Sequence, residues 1–264
     1  MLSLKYHAGV ALYLVSDVHG APETLAKAVP EGSILVLLGD LINFIDYTSM
    51  TGILTEVFSA EAVERVVSLR TAGRVEEARD VMRTRAEGRE VEIKEAIGER
   101  VRTQYERVFA ALPDPTYFIL GNADNPAVAL EYASATPAAH YVDGDTVVLE
   151  GDRFGFVGGA LRTALRVAGE ISDEAMRAKV DGLGEVDVIC SHIPPAVPEL
   201  CFDTRAGKAE RGSPDLLRYI EDVQPRRAYF GHVHQPLLSA LHIGRTLCVN
   251  VGFFRAVGRA FPHS

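Results

Sequence analysis

The sequence predicts an α/β fold whose strands deliver polar residues to a single rim. Two observations predict it. Five short apolar runs, Val10–Val15, Ile34–Leu38, Tyr117–Leu120, Val186–Cys190 and Arg227–Phe230, are rich in Val, Ile, Leu or aromatics and flanked by Gly, Pro or charge. That is the pattern of buried strands. Each run then ends in a polar fragment: Asp17-Val18-His19, Gly39-Asp40, Gly121-Asn122-Ala123-Asp124, Ser191-His192 and Gly231-His232-Val233-His234. Groups at the carboxyl ends of sheet strands converge on one edge, where α/β folds place their sites. Residues spread from Asp17 to His234 should therefore meet in space.

The remaining elements follow in order. From about residue 47 to 112 no strand is expected. This stretch is dense in charge, with 12 acids and 11 bases between Glu56 and Arg107, so it is nearly neutral locally. Val63 and Val66-Val67, then Val75, Ala78 and Val81-Met82, predict two shorter helices broken near Gly73 and Gly88. Ile97, Val101, Tyr105, Val108 and Leu112 recur at helical steps and give one apolar face. Pro113 ends that helix. The stretch reads as a helical insert, either packed outside the sheet or forming a cap or homo-oligomer surface beside the site. Thr146–Glu150 and Arg153–Val157 predict strands joined by a Gly151-Asp152 hairpin turn. Ser172–Val180 and Ser213–Val223 predict helices with Ser as N-cap. Thr246–Val251 predicts a last strand. The turn Gly158–Arg162 is expected to face the same rim, which makes Arg162 a candidate phosphate contact.

The polar set fits a particular chemistry. Three Asp or Asn oxygens and four imidazoles exceed the four ligands usual for one zinc. They suit two first-row divalent ions with mixed nitrogen and oxygen shells, whereas Ca²⁺ or Mg²⁺ sites are nearly all oxygen. One carboxylate must bridge two such ions, and Asp40 is the candidate, being the only acid of its fragment. Alone, Asp17 or Asp40 could be a helix N-cap and Asn122 a turn residue. His7, His140, His242 and His263, outside these fragments, read as ordinary polar residues.

The ordered set D-x-H, G-D, G-N-x-D, a lone H and G-H-x-H resembles the calcineurin-like metallophosphoesterase family, and covers residues 17 to 234. Ser191-His192-Ile193-Pro194-Pro195, with Tyr229-Phe230-Gly231-His232-Val233-His234, resembles its small single-domain phosphodiesterase branch. The resemblance implies a four-layer α/β/β/α sandwich of two mixed β-sheets, as one domain over residues 1–264. It implies that Asp17, His19 and His234 hold one metal, Asn122, His192 and His232 the other, and that Asp40 bridges them. The metals would be Mn, Fe or Zn. It implies hydrolysis of a small phosphoester, a diester in preference, by in-line attack of a hydroxide shared between the ions, with Asp40, Asn122 and His192 as the catalytic residues. Asn122 and His192 would also contact substrate.

One departure stands out. Many family members carry His after the Asn of the third fragment, where it protonates the leaving group; here the residue is Ala123. Such an acid is typically worth about 10²–10⁴-fold. Asp124, the carboxylate left in the fragment, is expected to orient a ligand His. A competing reading is a metal-binding scaffold with little catalysis that recruits a protein partner. Ala123 favours it and the full ligand set opposes it.

Composition narrows the partners. The net charge of −9 over 264 residues is the wrong sign for general nucleic-acid binding. Arg205, Lys208, Arg211 and Arg226-Arg227 could form a local basic funnel but read better as solvated surface charge. Three scattered cysteines, Cys190, Cys201 and Cys248, do not make a disulfide scaffold. No secretory signal is evident in Met1–Gly9, and Gly9–Ser16 is too short to span a membrane. A cytoplasmic protein is the expectation.

Overall fold

Parallel pairing explains why distant residues share one edge. A computed structural model of the chain describes residues 10–46, 49–163 and 167–264. The expectations that rest on Met1–Gly9, including His7, and on Tyr47 at the insert boundary lie outside them.

The chain opens with β1 (Leu12–Val15), α1 (Pro22–Ala28) and β2 (Ile34–Leu37). Four helices follow: α2 (Ile53–Val57), α3 (Ala60–Thr71), α4 (Val75–Ala86) and α5 (Glu90–Ala110). Next come β3 (Thr116–Phe118), α6 (Pro126–Ser134), β4 (Ala139–Tyr141), β5 (Thr146–Leu149) and β6 (Asp152–Val157). Two short strands, β7 (Ala160–Leu161) and β8 (Glu170–Ile171), lead to α7 (Asp173–Gly182), β9 (Val188–Ser191) and α8 (Pro198–Cys201). The ribbon β10 (Phe202–Asp203) and β11 (Lys208–Ala209) precedes α9 (Pro214–Val223), β12 (Arg227–Phe230), β13 (Ala240–Ile243) and β14 (Thr246–Asn250). The turn α10 (Phe254–Val257) and β15 (Phe261–Pro262) close the chain.

The result is a mixed α/β fold with two larger mixed sheets. One has the order β15-β1-β2-β3-β4, with β1 to β4 parallel and β15 antiparallel. The other runs β13-β14-β12-β9-β6-β5, with a parallel core and antiparallel edges β13 and β5. Three apolar clusters show which faces meet. Leu14, Val36 and Ile119 from the first sheet pack with Phe154, Phe156, Cys190 and Tyr229 from the second. The first sheet's other side, with Leu35, Leu37 and Phe118, carries Leu25 of α1, Val101, Tyr105 and Val108 of α5, and Ala129 of α6. The second sheet's other side holds α7 and α9 through Met176, Val180, Leu216 and Ile220.

One difference from the sequence reading has a local cause. The hairpin turn is centred on Glu150-Gly151, not Gly151-Asp152, because Leu149 pairs with Asp152. Glu150 (φ +50°) and Gly151 (φ +91°) both adopt the left-handed region that a two-residue hairpin of this hand requires. The helix face Val101, Tyr105 and Val108 is buried on the first sheet as its period requires. By contrast α3 and α4 share a small separate cluster of Val66, Leu69, Ala78, Val81 and Met82.

Candidate metal centre

The loops after β1, β2, β3, β9 and β12 place every sequence-predicted ligand side by side. Asp17, His19 and His234 bring ligand atoms within 4.8 Å of one another, and so do Asp40, His192 and His232. The groups adjoin: His19 Nε2 lies 3.7 Å from Asp17 Oδ1 and 3.7 Å from Asp40 Oδ2. His234 Nε2 is 3.4 Å from Asp17 Oδ1, and His192 Nε2 is 3.5 Å from Asp40 Oδ1. Asn122 Oδ1 sits 3.0 Å from His192 Nε2. Asp40 thus faces both groups, one oxygen toward each.

Backbone strain marks the same residues. Asp17 (φ +59°), His19 (φ +44°), Asp40 (φ +55°) and His232 (φ +67°) all hold positive φ without being glycine. Each such residue costs roughly 1–3 kcal/mol, and persists only where surrounding contacts enforce it. Here those contacts are Asp17 N to Gly39 O (3.1 Å), His19 N to Asp40 O (2.9 Å) and His232 N to Asp17 Oδ2 (2.9 Å). Glycine permits the approach. A Cβ on Gly121 would lie 2.2 Å from Asp40 Oδ1 and 2.5 Å from His192 Cε1. One on Gly231 would lie 1.9 Å from Ser16 Oγ and 2.4 Å from Asp17 Oδ2.

The donor set fits divalent cations. Asp17 Oδ1 and His19 Nε2 are buried and lack any hydrogen-bond partner, an expensive state for polar atoms that a cation would relieve. His19 Nδ1 faces Ile42 O at 3.2 Å and His192 Nδ1 faces Leu38 O at 2.8 Å. Nδ1–H therefore donates to the carbonyl, and each Nε2 lone pair points inward, the usual arrangement behind a metal-ligating imidazole. His192 Nε2 and Asn122 Oδ1 face each other at 3.0 Å, a contact that a shared proton or a shared cation would satisfy. Burial works against ionising Asp17, yet His19 and His234 hold its carboxyl well below the usual range. His232 is pushed down to about 4, first by burial and then by neighbouring His192, which keeps its imidazole neutral and able to ligate. Burial lowers His19 as well, but Asp17 and Asp40 outweigh it and raise the proton affinity, so a cation must displace a proton there.

A family model described as calcineurin-like phosphoesterase matches residues 11–236. The chain belongs to that family. No curated protein matches it. Among solved structures, one crystal structure shares 17% identity at a TM-score of 0.57, over 96% of this chain and 98% of the other. That of TT1561 of Thermus thermophilus shares 12% at a TM-score of 0.52, over 97% and 99%. These likenesses speak for the fold. The chain's membership supplies the hydrolase class, and its own residues supply the two ligand groups.

In this phosphoesterase Asp124 does not orient a histidine, contrary to the sequence reading. Its Oδ2 accepts from the backbone N–H of Asp40 and Gly121 (both 2.9 Å), and its Oδ1 from Leu41 N–H (3.0 Å) and Tyr105 O–H (3.1 Å). It ties the loop after β2 to the loop after β3. Burial and then the Asp40 charge push its pKa up to about 6, against the pull of those donors. Ala123 contributes only its backbone, N–H to Asp40 Oδ1 at 2.7 Å. Arg162 is exposed at the end of β7; its N–H meets Ile171 O and its carbonyl accepts from Arg211. Arg211 pairs with Asp173, Lys208 with Glu210 and Arg226 with Asp152, as surface charge does.

The supporting contacts of three residues escaped the sequence reading. Tyr105 was legible only as part of an apolar stripe, yet its hydroxyl also accepts from Asn125 N–H (2.7 Å). Asn250 donates to Gly231 O and Val233 O, pinning the loop that carries His232 and His234. Phe253 lies flat on His234, with ring centroids 3.8 Å apart and planes at 3°. Among the described residues, no helix is long and apolar enough to cross a membrane.

Proposed function

We propose that this chain is a dinuclear metal-dependent phosphodiesterase acting on a small phosphoester whose leaving group needs little protonation. The observation that carries the proposal is the pair of adjoining ligand groups, with Asp40 turning one oxygen to each and the first group holding the buried unpartnered atoms Asp17 Oδ1 and His19 Nε2. Asp17, His19 and His234 would hold one divalent ion, Asn122, His192 and His232 the other, and Asp40 both. Bound Mn, Fe or Zn ions would acidify water and neutralise charge on phosphoryl oxygens.

The chain's own residues do the rest. The backbone carbonyls of Ile42 and Leu38 fix the imidazole tautomers of His19 and His192. Ala123 N–H and the Asp124-anchored loops hold the Asp40 carboxylate between the two groups, which limits reorganisation during reaction. Asn122, at the second group, would offer its Nδ2 amide to a phosphoryl oxygen, while His192, buried with Nδ1–H on Leu38 O and Nε2 turned to the ion, would act on the substrate only through the ion it holds. Ala123 has no proton to give, so the leaving group must depart largely unaided. Arg162 stands as a candidate contact for the substrate's remote part, and the cytoplasm as the place of action.

The test is Mn²⁺-dependent hydrolysis of bis-p-nitrophenyl phosphate beside p-nitrophenyl phosphate. Faster turnover of the diester is expected. Preference for the monoester would reverse the substrate assignment, and inactivity of metal-loaded protein toward both would favour the scaffold reading, for which Ala123 is the supporting feature.

A further inference from the structure

The two ligand groups are supported unequally. The Asp17–His19–His234 group is gripped by the segment that follows β14. Phe254 N–H donates to Ser16 O and Arg255 N–H to Asp17 O, both at 3.1 Å. The Arg255 guanidinium donates to His19 O and to Thr51 Oγ1 (3.2 Å), and lies 3.6 Å from Asp46 Oδ2. Phe253 stacks on His234 at 3.8 Å and meets His19 edge-on at 5.5 Å and 82°. The segment is itself anchored, since Gly252 N–H donates to Asn250 Oδ1 at 2.8 Å.

The other group has different support. Asp40 is held by Asp124 and Ala123, and His192 by Leu38 O. The side-chain contacts of Phe253 and Arg255 go to His19, His234, Asp46 and Thr51, on the first group's side of the centre. His234 needs outside support more than its partners do, because its side chain is 35% exposed while those of Asp17 and His19 are 1% and 9% exposed. A flat aromatic neighbour restricts the imidazole's rotation, and a guanidinium on the carbonyl of a positive-φ residue holds that backbone in its unfavourable conformation.

We propose that Phe253 and Arg255 are positioning residues that set the metal affinity of the Asp17–His19–His234 half of the centre and leave the other half unaffected. The proposal rests on the dinuclear reading above. Hydrogen-bonded partners behind a ligand are typically worth about 10–100-fold in affinity; a stacked ring without a hydrogen bond belongs at the lower end, so loss of the Phe253 ring should weaken one binding step and spare the other.

The experiment titrates chelator-treated full-length protein with Mn²⁺ by calorimetry, with electron paramagnetic resonance on the same samples. Wild type should take up two ions. Phe253→Ala should weaken one step roughly tenfold and leave the other within about twofold, with a mononuclear manganese spectrum persisting at one equivalent. Phe253→Tyr, which keeps the stacked ring, should restore the wild-type titration. Phe253→Leu, which keeps bulk but not the ring, should repeat the alanine effect and serves if Phe253→Ala fails to fold. Arg255→Gln should weaken the same step. Placing Phe253→Leu in two backgrounds assigns the step: its effect should persist in His232→Ala and vanish in His234→Ala. Equal weakening of both steps, no change in either, or failure of Phe253→Tyr to rescue would overturn the proposal. Uptake of fewer than two ions by wild type would instead strike the dinuclear reading.

Discussion

Replacing Asp124 should cost more stability than any other single change of its size near the centre. Asp124 is only 1% exposed, and its two oxygens each take two donors: Asp40 N–H and Gly121 N–H on one, Leu41 N–H and Tyr105 O–H on the other. Asp124→Ala strands three buried backbone N–H groups. Each costs about 1–3 kcal/mol when unsatisfied, so with partial relaxation the loss should be about 3–6 kcal/mol. Tyr105→Phe removes one donor to Asp124 and the acceptor of Asn125 N–H, and should cost about 1–3 kcal/mol. Asp124→Asn should fall between, because its amide must turn a donor toward one of the donor pairs. The assay is urea unfolding of chelator-treated protein, which removes any contribution from bound ions. An Asp124→Ala variant no less stable than Tyr105→Phe would refute this, because the loops after β2 and β3 would then not depend on this carboxylate.

Three further outcomes are expected. Gly121→Ala should abolish uptake of the second ion, since its Cβ would press within 2.2 Å of Asp40 Oδ1 and 2.5 Å of His192 Cε1; metal analysis of folded variant protein checks this. The low proton affinity of His232 makes the unfolded chain bind more protons than the native one between its folded value of about 4 and the ordinary value near 6.5. That part of the stability of chelator-treated protein should therefore be full above pH 6.5 and lost as pH falls toward 4, by up to about 3 kcal/mol. Unfolding curves of wild type and His232→Asn across that range should converge at low pH, and parallel curves would refute the assignment. Finally, Ala123 implies rates that fall steeply as the leaving-group pKa rises, while Ala123→His should raise turnover of alkyl esters with metal content unchanged; a flat dependence in wild type would reveal another proton donor.

What the sequence disclosed, and what it withheld, divides by the range of the interactions. The buried runs and their polar ends were legible because burial on both faces leaves a continuous apolar signature, and parallel order then forces Asp17, Asp40, Asn122, His192 and His232 to one rim. The helices around Gly73 and Gly88 were legible from period alone, and both glycines hold positive φ. Asp124 was misread because its donors are backbone groups of Asp40, Leu41 and Gly121, and backbone partners carry no residue-type signal. Phe253 and Arg255 were missed because they follow the last long strand and meet Asp17 and His19 more than 230 residues away, with nothing local to mark them. The hairpin slipped by one residue because Glu150 adopts a left-handed backbone more typical of Asn or Gly.

The most direct test is to load wild type and Asp40→Ala with Mn²⁺, measure bound metal, and follow bis-p-nitrophenyl phosphate hydrolysis on the same samples. Two ions per wild-type chain with turnover, and loss of both the second ion and the turnover in a folded Asp40→Ala, are the expected results. Wild-type protein that binds two ions without hydrolysing the ester, or Asp40→Ala that hydrolyses it as well as wild type, would contradict a phosphodiesterase built on a shared Asp40.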